Sequence, residues 1–351
     1  MKGTNFMSGK ISMNILLYIA SAMFGVMITS VVLIPLFLRP IDASDNADRP
    51  FLMERGWGLK ELCVALEQQG MTRAWWSTYF LARLQGTSLV EENKLKVRAG
   101  EYSLKRSMTA TEMLNKLKRG EILYHKITIP EGARLTEIVT ALAKTGIVTA
   151  EELEAVVRDP AFILKLGVQG GSLEGYLFPE TYQFTRPDNA AYMITTMVET
   201  AKKSFFTEDY RKRAESLGMS LGDLISLASI IEKETGSKAD RKKISSVFHN
   251  RLKIGMPLQS DPTVIYGLPN FDGNLTKQHL LSPSPYNTYI RTGLTPTPIC
   301  SPGLEAFQAA LFPDDTDYLY FVATGDSEGT SYFSATYKEH QAAVRRYQLK
   351  Q

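Results

Sequence analysis

Residues Ile11 to Leu38 carry no charged side chain over 28 consecutive positions, and that run limits the rest of the chain more than any other feature. A helix needs about 20 apolar residues to cross the hydrocarbon core of a bilayer. Lys2 and Lys10 precede the run with no acid among the first ten residues, whereas Arg39, Asp42, Asp45, Asp48 and Arg49 follow it. The positive-inside rule then makes 1–10 a cytoplasmic tail and 11–38 a transmembrane anchor, with everything from about residue 40 outside. Pro35 falls near the far end of the run, where a break in the helix costs little. A cleaved leader fits less well. The run exceeds the usual apolar core of about 7–15 residues, and Ile41-Asp42-Ala43 is a weak cleavage site.

With 351 residues and 44% hydrophobic content, the chain suffices for two or three domains beyond the anchor. Net charge is +3 without an extended basic block, so nucleic acid is not an expected partner. His125, His249, His279 and His340 are scattered and none stands at metal-ligand spacing; neither metal nor cofactor is implied. Cys63 and Cys300 both fall outside, where a disulfide is permitted; two buried thiols fit the sequence equally well.

After a polar spacer at 39–50, helical spacing appears at Gly56 to Gly70, through Leu59, Leu62, Cys63 and Leu66. Trp75, Trp76, Tyr79, Phe80 and Leu84 continue a second helix, whose aromatic stripe reads as core. GEYSL (Gly100 to Leu104) reads as a strand and Ser107 to Gly120 as a capped helix, with HKITIPEG (His125 to Gly132) a second strand. That strand–helix–strand unit resembles a carbohydrate-binding module of the LysM type and places a LysM-like subdomain within 51–132. From 133 to 351 helices and short strands mix, an α+β pattern. Gly170 to Phe184 interleaves Tyr176, Phe178, Tyr182 and Phe184 with Glu174 and Glu180, the mixture sugar sites use. QSDPTVIYG reads as a polar turn leading into a strand, and Ser284 to Gly303 as a long loop with a binding role.

Within this region SLASIIEKETG (Ser226 to Gly236) ends an apolar run on acids. Leu221, Ile225, Ala228 and Glu232 share one helical stripe, so the Glu232 carboxyl closes an apolar face. Poor solvation there raises its pKa and suits it to general acid catalysis. The same pattern also describes the plain edge of a buried face, with Lys233 and Glu234 turning into water. Glu234 stands about 200° further round a regular helix, away from any site that Glu232 forms, and reads as a solvent-facing or structural partner.

Taken in order, AGEYSL, ITIPEG, SLEGYLFPETY, LASIIEKETG, SVFHNRL, IGMPLQSDPTVIYG, PYNTY and YLYFVA resemble the endolytic murein transglycosylases of the YceG-like (MltG) family. Two departures stand out: GLTPTPI at Gly293 to Ile299 replaces the family's GLPPGPI, and Cys300 follows where a small residue is usual. The resemblance implies a LysM-like subdomain followed by an α+β catalytic domain at 133–351. It implies cleavage of the MurNAc–GlcNAc bond within peptidoglycan strands, ending strand elongation, with Glu232 catalytic. It further implies residence in the bacterial inner membrane beside penicillin-binding proteins and the elongation machinery. For substrate binding the motif loops offer Glu174, Tyr176, Tyr182, Gln259, Asp261, Thr263, Tyr286, Asn287 and Tyr289.

One carboxyl group suffices for that chemistry. As acid it protonates the leaving glycosidic oxygen; as base it takes the proton from the muramyl C6 hydroxyl, which closes a 1,6-anhydro ring. Well-oriented intramolecular attack reaches effective molarities of about 10⁵–10⁸ M. Two alternatives stay open on sequence. One is a hydrolase using Asp261 as second carboxylate, roughly 5–9.5 Å from the first. The other is an inactive wall-binding scaffold.

Overall fold

The computed structural model describes residues 36–84, 97–168, 171–234 and 236–349, with short stretches at 17–18, 20–21, 23–25, 90–91 and 94–95. Most of the uncharged run at 11–38 lies outside the described residues. Among the described residues no single helix is long and apolar enough to cross a membrane. The chain divides into two compact units, Met1–Tyr124 with Thr185–Pro187, and His125–Phe184 with Asp188–Gln351.

In the first unit strand β1 (Arg49–Met53) leads to helices α1 (Leu59–Gln68) and α2 (Trp75–Leu84). A minimal hairpin of β2 (Val90–Glu91) and β3 (Lys94–Leu95) follows, then β4 (Gly100–Leu104) and α3 (Ala110–Arg119). β1 and β4 pair antiparallel with Phe51 opposite Tyr102. Leu62, Cys63 and Leu66 of α1 and Met113, Leu114 and Leu117 of α3 complete the core against that pair. The helical phase of α3 is set by its ends. The Thr109 hydroxyl accepts from Glu112 N–H and the Glu112 carboxylate from Thr109 N–H, while Gly120 stops the helix in the left-handed region.

Two expectations change here. The strand at His125 does not pair with GEYSL; β4 takes β1 as its partner, so the closed unit runs strand–helix–helix–strand. The aromatic stripe of α2 is core only in part, with Trp75 and Tyr79 packed on the first unit's core. Ser77, Thr78 and Ala82 face inward, whereas Trp76, Phe80 and Leu84 are exposed.

The second unit starts with β5 (His125–Thr128), α4 (Leu135–Ala143), α5 (Ala150–Val157), α6 (Pro160–Lys165) and β6 (Thr181–Phe184). It continues through α7 (Ala190–Phe205), α8 (Glu208–Leu217), α9 (Leu221–Glu234), α10 (Arg241–Lys253) and α11 (Asp261–Gly267). α12 (Leu304–Leu311), β7 (Tyr320–Ala323), β8 (Ser331–Ser334) and α13 (Tyr337–Tyr347) close it. β5 pairs with β6 and β7 with β8, both antiparallel. The VIYG segment is helical rather than extended, because Pro262 sits in the first turn of α11, where its missing N–H goes unused.

α9 is the axis of this unit. Every side chain from Leu224 to Ile231 is buried, and the helix packs against α8, α10, α11 and α12. A helix apolar all round belongs inside a core. Its two serines stay compatible with burial because Ser229 Oγ donates to Ser226 O at 2.7 Å and accepts from Ile299 N–H at 3.0 Å. Cys63 and Cys300 are both free and buried, one in each unit.

Candidate active site

Glu232 emerges where α9 leaves the core. Its side chain is only 9% exposed. Oε2 accepts the Gly303 N–H at 2.9 Å, and Oε1 meets Arg241 Nη2 at 3.5 Å. The Arg241 guanidinium is tied more tightly to Glu305, Nη1 to Oε2 at 2.8 Å. Burial lifts the Glu232 carboxyl above the usual carboxylate range; the Gly303 N–H and Arg241 draw it back, and Glu131 and Glu305 push it up again. The group is therefore an acid whose anion has two donors waiting.

The loop from Gly293 to Gly303 builds this setting. Tyr286 Oη and Thr297 Oγ1 share a hydrogen bond at 2.9 Å, and Pro298 fills the space beside Gly175. A Cβ on Gly175 would fall 2.4 Å from Pro298 Cβ, and its φ of +84° already excludes most side chains. Ile299 and Cys300 bond to Ser229, as donors to its hydroxyl and its carbonyl. Ser301 N–H donates to Ala133 O and accepts from Gly132 N–H through its own carbonyl, both at 2.8 Å. The ITIPEG turn is thereby laid over the end of α9, where Lys233 Nζ donates to Gly132 O at 3.3 Å. Gly303 completes the wall: a Cβ there would lie 2.0 Å from Glu131 Oε1. Its N–H serves one acid while the other lies against its Cα.

Glu234 is not solvent-facing. Its Oε1 accepts from Ser260 Oγ at 2.6 Å, and burial pushes its carboxyl up to about 7, with Ser260 opposing and Asp261 adding. From Ser260 the network runs into PYNTY. Ser260 N–H donates to Thr288 Oγ1 at 3.0 Å, Gln259 N–H to Thr288 O at 3.0 Å, and Thr263 Oγ1 meets Thr288 Oγ1 at 2.8 Å. Tyr289 Oη donates to Asp261 Oδ1 at 2.6 Å. Gln259 holds φ at +51°, a conformation that non-glycine residues keep mostly where surrounding structure enforces it.

Of the residues offered for substrate binding, Gln259 and Asp261 are exposed and Tyr286 and Tyr289 half-buried, so a ligand can reach them. Five others are buried, four of them with polar groups bonded inside the protein. Glu174 accepts from Leu135 N–H at 3.0 Å and Tyr266 Oη at 3.1 Å, and burial raises its carboxyl to about 7. Tyr176 is packed in the core, and Tyr182 spends its hydroxyl on Phe178 O at 2.7 Å. Thr263 and Asn287 are fully buried, the latter donating to Leu280 O and Ser282 O. Sequence reasoning passed over Glu131, Ser260, Arg241, Gly303 and Glu305. Glu131 and Ser260 sat inside the quoted ITIPEG and QSDPT motifs. Arg241 lay hidden in a basic cluster that reads as a solvated surface. Among the described residues no group of His, Cys, Asp and Glu could hold a metal ion.

The model of the YceG-like family matches residues 51–346, most of the chain. The chain belongs to the YceG-like family. An endolytic murein transglycosylase of Bacillus subtilis (strain 168) is 40% identical over 265 residues, covering 71% of this chain and 72% of that protein. One of Streptococcus pneumoniae serotype 2 is 30% identical over 338 residues, covering 88% of this chain but 60% of the relative. A crystal structure of a YceG-like protein from Listeria monocytogenes superposes with a TM-score of 0.57 at 30% identity, covering 84% of this chain and 99% of that one. The mixed helix and sheet fold is thus that of the YceG-like proteins.

Proposed function

We propose that this YceG-like chain is an endolytic murein transglycosylase, a lyase that cuts peptidoglycan strands between MurNAc and GlcNAc and leaves 1,6-anhydroMurNAc ends. The observation that carries the reading is the pairing of a raised carboxyl at Glu232 with donors ready for its anion. The acid form gives its proton to the glycosidic oxygen as the C1–O bond breaks. The resulting carboxylate is held by the Gly303 N–H and by Arg241. It then takes the proton of the C6 hydroxyl as that oxygen bonds to C1, which returns Glu232 to its acid form. The names of the Bacillus and Streptococcus relatives support the same activity.

A hydrolase using Asp261 gains no support. The acids that Glu232 feels are Glu131 and Glu305, whereas Asp261 acts on Glu234 and is engaged by Tyr289. Mass spectrometry of fragments from purified glycan strands decides the matter: anhydro ends are expected, and reducing ends alone would overturn the proposal.

Residues 11–38 anchor the chain in the inner membrane, with 1–10 cytoplasmic and the rest outside; the charge asymmetry around the run supports this. The strand–helix–helix–strand order of β1, α1, α2 and β4 supports a LysM-like module that holds glycan. Penicillin-binding proteins and the elongation machinery are the partners that the family resemblance suggests. A reporter fused at Gln351 that is active only in the cytoplasm would sink this topology.

A further inference from the structure

Helix α2 packs Trp75, Tyr79 and Leu81 on the core yet turns a second apolar face outward. A helix on a protein surface ordinarily turns its large apolar residues to the core and its small polar ones to water. Here Ser77 and Thr78 are fully buried and Ala82 nearly so, with both hydroxyls returned to Ala74 O within the helix. The outward stripe is Trp76, Phe80 and Leu84, at 37%, 55% and 80% exposure. These positions are four residues apart and line one face. Such a contiguous exposed apolar face marks a contact surface.

Several observations identify what it contacts. Phe37, from the last turn of the uncharged run, packs on Trp76 with ring centroids 5.1 Å apart, and Leu36 beside it is exposed. Arg73, just before α2, donates to Pro40 O at 3.0 Å and Ile41 O at 3.2 Å, tying the start of the helix to the exit of that run. The helix contains no acid, and Arg73 and Arg83 flank the stripe. Aromatic and leucine side chains on one face with arginines beside them suit the headgroup boundary of a bilayer, where such helices bury their apolar side about 5–10 Å deep. We propose that α2 lies in the bilayer surface, its Trp76–Phe80–Leu84 stripe inserted among the lipids next to the point where the chain leaves the membrane.

This inference rests on the anchoring of residues 11–38 proposed above, and the test separates the two. The full chain, with Trp57→Phe and Trp75→Phe so that Trp76 emits alone, is reconstituted in vesicles of phosphatidylethanolamine and phosphatidylglycerol. Alkaline washing then reads anchoring, and lipids brominated near the headgroup end of the acyl chain read Trp76. Retention in the vesicles with strong quenching is expected. Phe80→Glu with Leu84→Glu should abolish most of that quenching while retention and the thermal melt hold, because neither side chain is packed in the protein core. An anchored chain whose Trp76 is not quenched overturns the placement of α2. So does shielding from acrylamide without bromine quenching, which would mean a protein cover. Quenching untouched by the double glutamate variant also overturns it. Loss of the chain on washing fails the anchor, and this inference with it.

Discussion

Glu232 and Glu234 stand two residues apart on one helix, and the protein holds them with different partners. Around Glu232 the forces conflict: burial and two neighbouring acids favour the proton, while a backbone N–H and a guanidinium favour its loss. Around Glu234 burial and Asp261 favour the proton while the Ser260 hydroxyl and the Arg251 charge oppose it, and the one hydrogen bond leads into a network of threonines. A residue that must give and take one proton needs partners for both of its forms. A residue that only ties loops together needs them for one.

The largest expected difference between the two is in turnover. Glu232→Gln keeps the size and the Gly303 contact but cannot move a proton, so the rate of new anhydro ends should fall by about 10²–10⁴-fold with an almost unchanged melt. Equal loss in Glu234→Gln would break the contrast. Stability reverses the order. Glu234→Ala leaves Ser260 Oγ buried without its acceptor, at a cost of about 1–3 kcal/mol in denaturant titrations, and activity should drop less than in Glu232→Gln.

The pH dependence of folding comes next. Glu234 and Glu174 are each pushed up to about 7, above their value in an unfolded chain. Their contribution to stability is therefore full below about 4.5 and is lost as pH rises toward and past about 7. Melting temperature should decline across that window, and Glu174→Gln combined with Glu234→Gln should flatten the decline; an unaltered slope would contradict it. A subtler change concerns Glu131. Removing its charge in Glu131→Gln lowers the Glu232 carboxyl, so the alkaline fall of activity should begin at lower pH, and Arg241→Gln should move it the other way. The smallest effect belongs to Tyr289→Phe, which costs Asp261 one exposed hydrogen bond, about 0.5–1.5 kcal/mol at most.

What could be read in advance follows from what kind of contact was involved. The stripe ending at Glu232 was legible because helical periodicity alone fixes which side chains share a face, and the core helices around α9 followed from the same rule. The burial of Glu234 was not, since its partner Ser260 lies on a loop whose path depends on Thr288, far along the chain. Tyr182 and Asn287 carry groups that suit a sugar equally well as a backbone carbonyl, and only the fold decides which they meet. The strand at His125 has the right alternation, but alternation names no partner, and Phe184 supplies it. With α2 the spacing was right, but periodicity does not say which of two apolar faces turns inward: Trp75 and Tyr79 meet the core while Trp76, Phe80 and Leu84 stay exposed.

Gly303 has a consequence for how such a protein can diverge. One side of this residue is committed to the Glu232 carboxylate through its N–H, and the other is pressed by the Glu131 carboxylate. A side chain at 303 meets the Glu131 carboxylate first, and that exposed, flexible end must swing aside to admit it. A chain with a shorter residue at 131 admits alanine at 303 freely, while one that keeps Glu131 admits it by turning that carboxylate aside and so moving a charge that Glu232 feels.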